Sequence, residues 1–119
     1  MNRKEVVIIT GSTGLIGSPT VKRLAADYLA VGFDRRGSPH PRPEAECVCV
    51  DITDDESVRA GLARVRYAYG PRIGAVIHLA AYYDFSGEPS SQYEEVTIRG
   101  TERLLRALQA FEVGLLVFS

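Results

Sequence analysis

The apolar run Val6-Val7-Ile8-Ile9, with Thr10-Gly11-Ser12-Thr13-Gly14-Leu15-Ile16-Gly17 directly behind it, constrains this chain more than any other stretch. Four β-branched residues in a row suit a strand covered on both faces, as in a parallel sheet. Glycines follow at once, and then a segment with helical periodicity. A helix is expected over residues 15–28, with Val21, Leu24, Ala25 and Tyr28 on one stripe. Pro19 falls near its start, where a missing N–H costs least.

The same alternation continues along the chain. Residues 29–33 read as a second strand ending at Asp34, and residues 35–43 as a proline-rich loop that exposes His40. A third strand is expected over 47–50, ending at Asp51. Thr53 and Glu56 have capping-box spacing, which predicts a helix to about residue 67 with Val58, Leu62 and Val65 buried. Gly70-Pro71 breaks the chain before a fourth strand over 74–79. Residues 80–89 form an aromatic and polar loop holding Tyr82, Tyr83 and Phe85. Ser91 and Glu94 repeat the capping-box spacing and open a helix carrying Val96, Leu104, Leu105 and Leu108. Gly100 inside that helix costs about 1 kcal/mol relative to alanine, so close packing is expected there. Residues 115–118 read as a fifth strand, before Ser119. Parallel strands need crossovers, and right-handed crossovers place helices on both faces. The expected fold is therefore α/β, a Rossmann-type doubly wound parallel sheet in the order 3-2-1-4-5, truncated after strand five.

At 119 residues the chain suits one domain, 1–119, with no room for a separate substrate domain. A formal charge of -1 without blocks of one sign leaves no electrostatic footprint for nucleic acid. No apolar run approaches the roughly 20 residues that span a bilayer, and no secretory signal is present. Cys47 and Cys49 stand two apart on one strand and are expected to be plain buried thiols, not metal ligands. These features favour a reducing cytoplasm. The Leu115-Leu116-Val117-Phe118 edge, with no further strand beside it, predicts self-association.

The glycine loop carries the chemistry. Gly11 permits the tight turn out of the strand, Gly14 lets backbone approach a diphosphate, and Gly17 lets the helix lie close to the sheet. Free N–H groups of the first helical turn would face the anion, helped by the helix dipole. The spacing G-x-x-G-x-x-G is neither the usual G-x-G-x-x-G fingerprint nor a Walker loop. Asp34, 17 residues beyond Gly17, stands where a carboxylate accepts from a ribose 2′-hydroxyl. Arg35 and Arg36 could grip a 2′-phosphate, but Asp34 would repel it, so NAD is favoured and NADP is the alternative.

Four segments together resemble the N-terminal part of the extended short-chain dehydrogenases/reductases, the branch of NAD-dependent epimerases and dehydratases that includes UDP-glucose 4-epimerase. They are residues 10–17, Asp51-Ile52-Thr53-Asp54, Val76-Ile77-His78-Leu79-Ala80-Ala81, and Gly100-Thr101-Glu102-Arg103-Leu104-Leu105. The resemblance implies cofactor contacts at Gly11, Thr13, Gly14, Leu15, Ile16, Gly17, Asp34 and Arg35. It also implies Asp51 and Ile52 beside the adenine, and Leu79, Ala80 and Ala81 along the ribose and nicotinamide side. It makes His78 a strand residue and not a base. Tyr82, Tyr83 and Phe85 follow strand four at the carboxyl edge of the sheet, where they either border a substrate or pack as an ordinary loop. Two departures stand out. Thr97 occupies a position where such proteins carry Asn, and a hydroxyl cannot reproduce an amide's donor and acceptor. The family's Tyr-x-x-x-Lys pair is absent, since the only lysines are Lys4 and Lys22, and Ser119 falls just short of the expected catalytic hydroxyl. The expectation is an NAD-binding portion of a longer enzyme acting by hydride transfer on a sugar-nucleotide-like or other alcohol or carbonyl substrate, itself inactive. The alternative is a non-catalytic nucleotide-sensing module.

Overall fold

The computed structural model describes residues 4–35, 45–81 and 91–119. Within them the chain runs β1 (Val6–Thr10), α1 (Gly17–Leu24), β2 (Leu29–Asp34), β3 (Ala45–Cys49), α2 (Asp55–Tyr69), β4 (Arg72–His78), a π-helical segment (Tyr93–Arg99), α3 (Gly100–Leu108) and β5 (Glu112–Phe118). The strands form one parallel sheet in the order β3-β2-β1-β4-β5. This is the expected doubly wound, Rossmann-like order.

β1 lies at the centre and is buried along its whole length. Successive side chains of a strand point to opposite faces. Val6 and Ile8 accordingly join the core under α2 and α3 with Phe33, Val58, Leu62 and Leu104. Val7 and Ile9 join the smaller core under α1 with Val21, Ala25 and Ala30. Burying each such side chain is worth roughly 1.5–3 kcal/mol, so β1 anchors both layers.

Several boundaries differ from the expected ones, each for a local reason. α1 ends at Leu24, and Tyr28, already past the helix, lies outside the buried stripe. β3 begins at Ala45 and includes Glu46, whose carboxylate is held by Arg64 at 2.6 and 2.9 Å and by Tyr69 at 3.3 Å. Those partners on α2 make a charged residue acceptable in the strand. β5 begins at Glu112, because Gly74 and Gly114 let the two backbones approach: a Cβ on Gly114 would lie 2.6 Å from the Gly74 carbonyl oxygen.

Neither capping box forms. Asp54, not Thr53, caps α2 by accepting the Glu56 N–H at 3.0 Å. Thr53 instead turns back and donates to Asp51 through both its N–H and its hydroxyl. Ser91 is already helical, and Tyr93–Arg99 is π-wound, with the Gly100 N–H reaching the Glu95 carbonyl five residues back. In α3, Leu104 and Leu108 are buried, whereas Leu105, one residue round the helix, faces outward. Gly100 does pack closely, since a Cβ there would meet Ile52 Cγ2 at 2.9 Å.

The cysteines are thiols and not buried: Cys47 is half-buried and Cys49 exposed, because β3 is an edge strand. Among the described residues no helix is long and apolar enough to cross a membrane. The readings of His40, Arg36, Tyr82, Tyr83 and Phe85 lie outside the described residues.

Candidate functional site

The ends of β1, β2, β3 and β4 place the predicted residues along one edge of the sheet. Gly11 leaves β1 with φ +68°, in the left-handed region where a side chain is strained. A Cβ there would also meet the Ala80 backbone nitrogen at 3.0 Å, so the loop packs directly on the exit of β4. The Gly11 N–H donates to the Phe33 carbonyl at 2.8 Å, tying the turn to β2. Gly17 lies against Gly11: a Cβ would fall 2.0 Å from the Gly11 carbonyl oxygen. At Gly14 a Cβ would meet only that oxygen, at 3.3 Å, so its outer side is open.

The loop's amides divide into two sets. The Thr13 N–H donates to Asp34 Oδ2 at 3.1 Å, the Gly14 N–H to the Gly11 carbonyl at 3.1 Å, and the Ser18 N–H to the Gly14 carbonyl at 3.0 Å. The N–H groups of Leu15, Ile16 and Gly17 have no acceptor among the described residues. They open α1, whose first turn carries no acidic residue and whose last turn carries Lys22 and Arg23. The dipole's positive end is thus uncompensated within the helix. The side chains of Leu15 and Ile16 point away to solvent, 98% and 64% exposed, while Ser12 is buried over Gly32. Backbone, not side chain, lines this turn, and an anionic diphosphate fits such a set of donors.

Asp34 ends β2 and braces the loop through Thr13. Arg35 is exposed beside it, and its carbonyl accepts from Cys49 Sγ at 3.1 Å. Asp51 follows β3 and is half-buried. Its Oδ1 accepts the Thr53 hydroxyl at 2.7 Å and the Thr53 N–H at 2.9 Å. The Thr53 bonds hold this carboxyl below its ordinary value, with Arg35 and Arg103 adding a smaller effect. Ile52 buries its side chain in the core beneath Gly100, which leaves its backbone as the part that could meet a ligand.

The exit of β4 is organised around His78, read from the sequence as a strand residue, by Thr10 and Thr101, whose roles the sequence did not suggest. Thr10 Oγ1 accepts the N–H groups of Leu79 and Ala80, each at 3.0 Å, and lies 2.7 Å from His78 Nδ1. His78 Nε2 lies 2.9 Å from Thr101 Oγ1, which donates to the Thr97 carbonyl at 2.5 Å. The available signal was polarity out of place: Thr10 and His78 end the apolar runs 6–9 and 73–77 of two strands. Ala80 and Ala81 are half-buried next to this network. Ser119 follows β5 and is exposed. A pocket of about 290 Å³ lined by Ser91, Gln92, Glu94, Glu95 and Arg99 runs along the π segment and includes none of the loop residues.

A five-stranded parallel sheet with a glycine turn at its central strand defines a dinucleotide-binding α/β domain of the Rossmann class. Comparison with known proteins narrows the class. The chain belongs to the NAD dependent epimerase/dehydratase family, whose model matches residues 7–119. It is 26% identical over 113 residues to an Escherichia coli O157:H7 protein, N-acetyl-alpha-D-glucosaminyl-diphospho-ditrans,octacis-undecaprenol 4-epimerase, covering 95% of this chain and 31% of that one. Among solved structures, the epimerase Mth375 from Methanothermobacter thermautotrophicus is 26% identical, with a TM-score of 0.78 over 98% of this chain and 35% of that one. Uronate dehydrogenase from Agrobacterium tumefaciens shares the fold at 24% identity, with a TM-score of 0.77 over 97% of this chain and 40% of that one. The chain therefore spans about a third of the length of its curated relative.

Proposed function

We propose that this chain is the NAD-binding portion of an epimerase, dehydratase or reductase, and that the glycine-loop edge is where it holds the cofactor. The observation that carries this reading is the trio of N–H groups at Leu15, Ile16 and Gly17, without acceptors among the described residues, at the positive end of α1. In this reading Gly11, Thr13 and Gly14 shape the turn around the diphosphate. Asp34 accepts from the adenosine ribose through the same carboxylate that braces the loop by accepting the Thr13 N–H. Arg35, Asp51 and the Ile52 backbone border the adenine. Leu79, Ala80 and Ala81 line the ribose and nicotinamide side.

Bound NAD would supply the hydride acceptor for oxidation at a carbinol carbon. The epimerase names among its relatives favour a sugar-type substrate, with other alcohols or carbonyls as the wider class. The chain's lysines are Lys4 and Lys22, and neither follows a tyrosine by four residues. The isolated chain is accordingly expected to bind cofactor without turnover. The exposed Leu115, Val117 and Phe118 of the edge strand β5 favour pairing with a second copy.

Calorimetric titration with NAD and NADP, on the wild type and on Asp34→Ala, tests the assignment. The wild type should prefer NAD. Loss of the carboxylate should weaken NAD by about tenfold, near 1.4 kcal/mol, and narrow the preference. Unchanged NAD affinity in Asp34→Ala would remove Asp34 from the ribose.

A further inference from the structure

His78 ends β4 and is only 6% exposed. Its ring is held from both sides, by Thr10 Oγ1 at Nδ1 and by Thr101 Oγ1 at Nε2. The proton positions follow from counting. A threonine hydroxyl has one proton and two lone pairs. Thr10 Oγ1 already accepts the Leu79 and Ala80 N–H groups, so its proton is what remains for His78, and Nδ1 must accept. A neutral imidazole that accepts at Nδ1 carries its proton on Nε2. That proton goes to Thr101 Oγ1, whose own proton goes to the Thr97 carbonyl. Every bond from the Leu79 and Ala80 amides to Thr97 then runs in one direction.

We propose that His78, in its Nε2–H form, is a positioning residue for the dinucleotide site: through Thr10 it fixes the Leu79–Ala80 backbone on which Gly11 packs. The proposal rests on reading the glycine-loop edge as the cofactor site. An N–H on Nδ1 would confront an oxygen whose lone pairs are filled, so the imidazolium does not fit. Among the described residues, Thr10 and Thr101 bond the ring, and His78 pairs in register with Thr10 of β1 and Phe118 of β5; none of these is charged. Burial lowers the ring's proton affinity, with no charged side chain among the described residues acting on it.

The two ends of the ring do different work. The Thr10 end holds the strand exit beside the loop, and the Thr101 end holds the start of α3. Asparagine reaches as far as Nδ1 with an acceptor, and glutamine reaches as far as Nε2 with a donor. His78→Asn should therefore keep NAD affinity within about threefold of wild type, while His78→Gln should lose about tenfold. A merely structural role would weaken both in proportion to their stability, read from thermal melts of the same samples. Nitrogen NMR of the labelled 119-residue wild-type chain adds a readout that needs no variant. It should show a single neutral Nε2–H ring persisting below about pH 6.5, the ordinary histidine value.

An Nδ1–H tautomer, an imidazolium at neutral pH, or equal NAD affinity for wild type, His78→Asn and His78→Gln overturns the proposal. Should either variant fail to fold, Thr10→Ser and Thr10→Val replace the pair, the first expected to retain affinity and the second to lose it. A wild type that binds neither NAD nor NADP overturns the proposed function first, and the positioning role with it.

Discussion

Gly17 rests on Gly11 so closely that a methyl group on its α-carbon would lie 2.0 Å from the Gly11 carbonyl oxygen and 2.8 Å from its carbonyl carbon. The obstacle is backbone at the start of a helix, and neither partner has a rotamer to change. Gly17→Ala should destabilise the chain by about 2–3 kcal/mol, measured by urea denaturation. A midpoint equal to wild type would mean that the loop and α1 are not in this contact.

Gly14→Ala should behave differently. Its Cβ would meet one oxygen, at 3.3 Å, and otherwise face open space. Stability should stay within about 1 kcal/mol of wild type. NAD affinity should fall by about tenfold, because the methyl group enters the space reserved for the diphosphate. Calorimetry and denaturation on the same preparation separate the two effects.

Arg103 joins α3 to the turn before α2. It is mostly buried, donates to Asp55 at 2.7 Å and to the Ile52 carbonyl at 2.9 Å, and lies 3.8 Å from Glu95. Asp55 is largely solvent-exposed, so the ion pair itself is weak, and the bond to the Ile52 carbonyl carries more of the effect. Arg103→Met, which keeps the stem, should cost about 1–2 kcal/mol in a thermal melt. An unchanged melting temperature would show that α3 is held by Leu104 and Leu108 alone.

Stability should rise with pH in two windows. His78 binds its proton less tightly when folded than at its ordinary value of 6.5. The unfolded chain therefore takes up more protons just below that value, and stability is lost as pH falls through it. Asp51, held below its ordinary 3.8, contributes stability that is present above that value and lost as pH falls past it. Thr53→Ala removes the main cause of the second shift. Denaturation curves across pH should show the acid window shrinking in Thr53→Ala, with the His78 window unchanged.

Lysine on the outer edge of β5 is a natural deterrent to strand pairing. Val117→Lys should give a species whose sedimentation does not change with concentration, whereas the wild type should grow heavier as concentration rises. A wild type that remains monomeric throughout would remove the β5 edge as a pairing surface.

The strand order could be read from the chain because β1, β2 and β4 are continuous apolar runs set between turn glycines and helical stripes. Residues 10–17 and Asp34 could be placed on one edge for the same reason. The caps could not. Thr53 has the right spacing from Glu56, but Asp51 two residues earlier competes for both its donors. The π turns at Tyr93–Arg99 leave no periodicity distinguishable from an α-helix over so short a span. Cys49 reads as buried from its neighbours, yet β3 is an edge, and edge position is a property of the assembled sheet. The Thr10–His78–Thr101 network was equally hidden, since its members stand 68 and 23 residues apart.

β1 is made first and completed late. Its neighbour on one side, β4, reaches it only through pairs such as Thr10 with His78, 68 residues downstream. At typical ribosomal speeds of about 5–20 residues per second, roughly 3–14 seconds pass between the two. During that interval Val6, Val7, Ile8 and Ile9 cannot all be covered, so the strand that anchors both finished layers leaves apolar surface open in the nascent chain until β4 arrives.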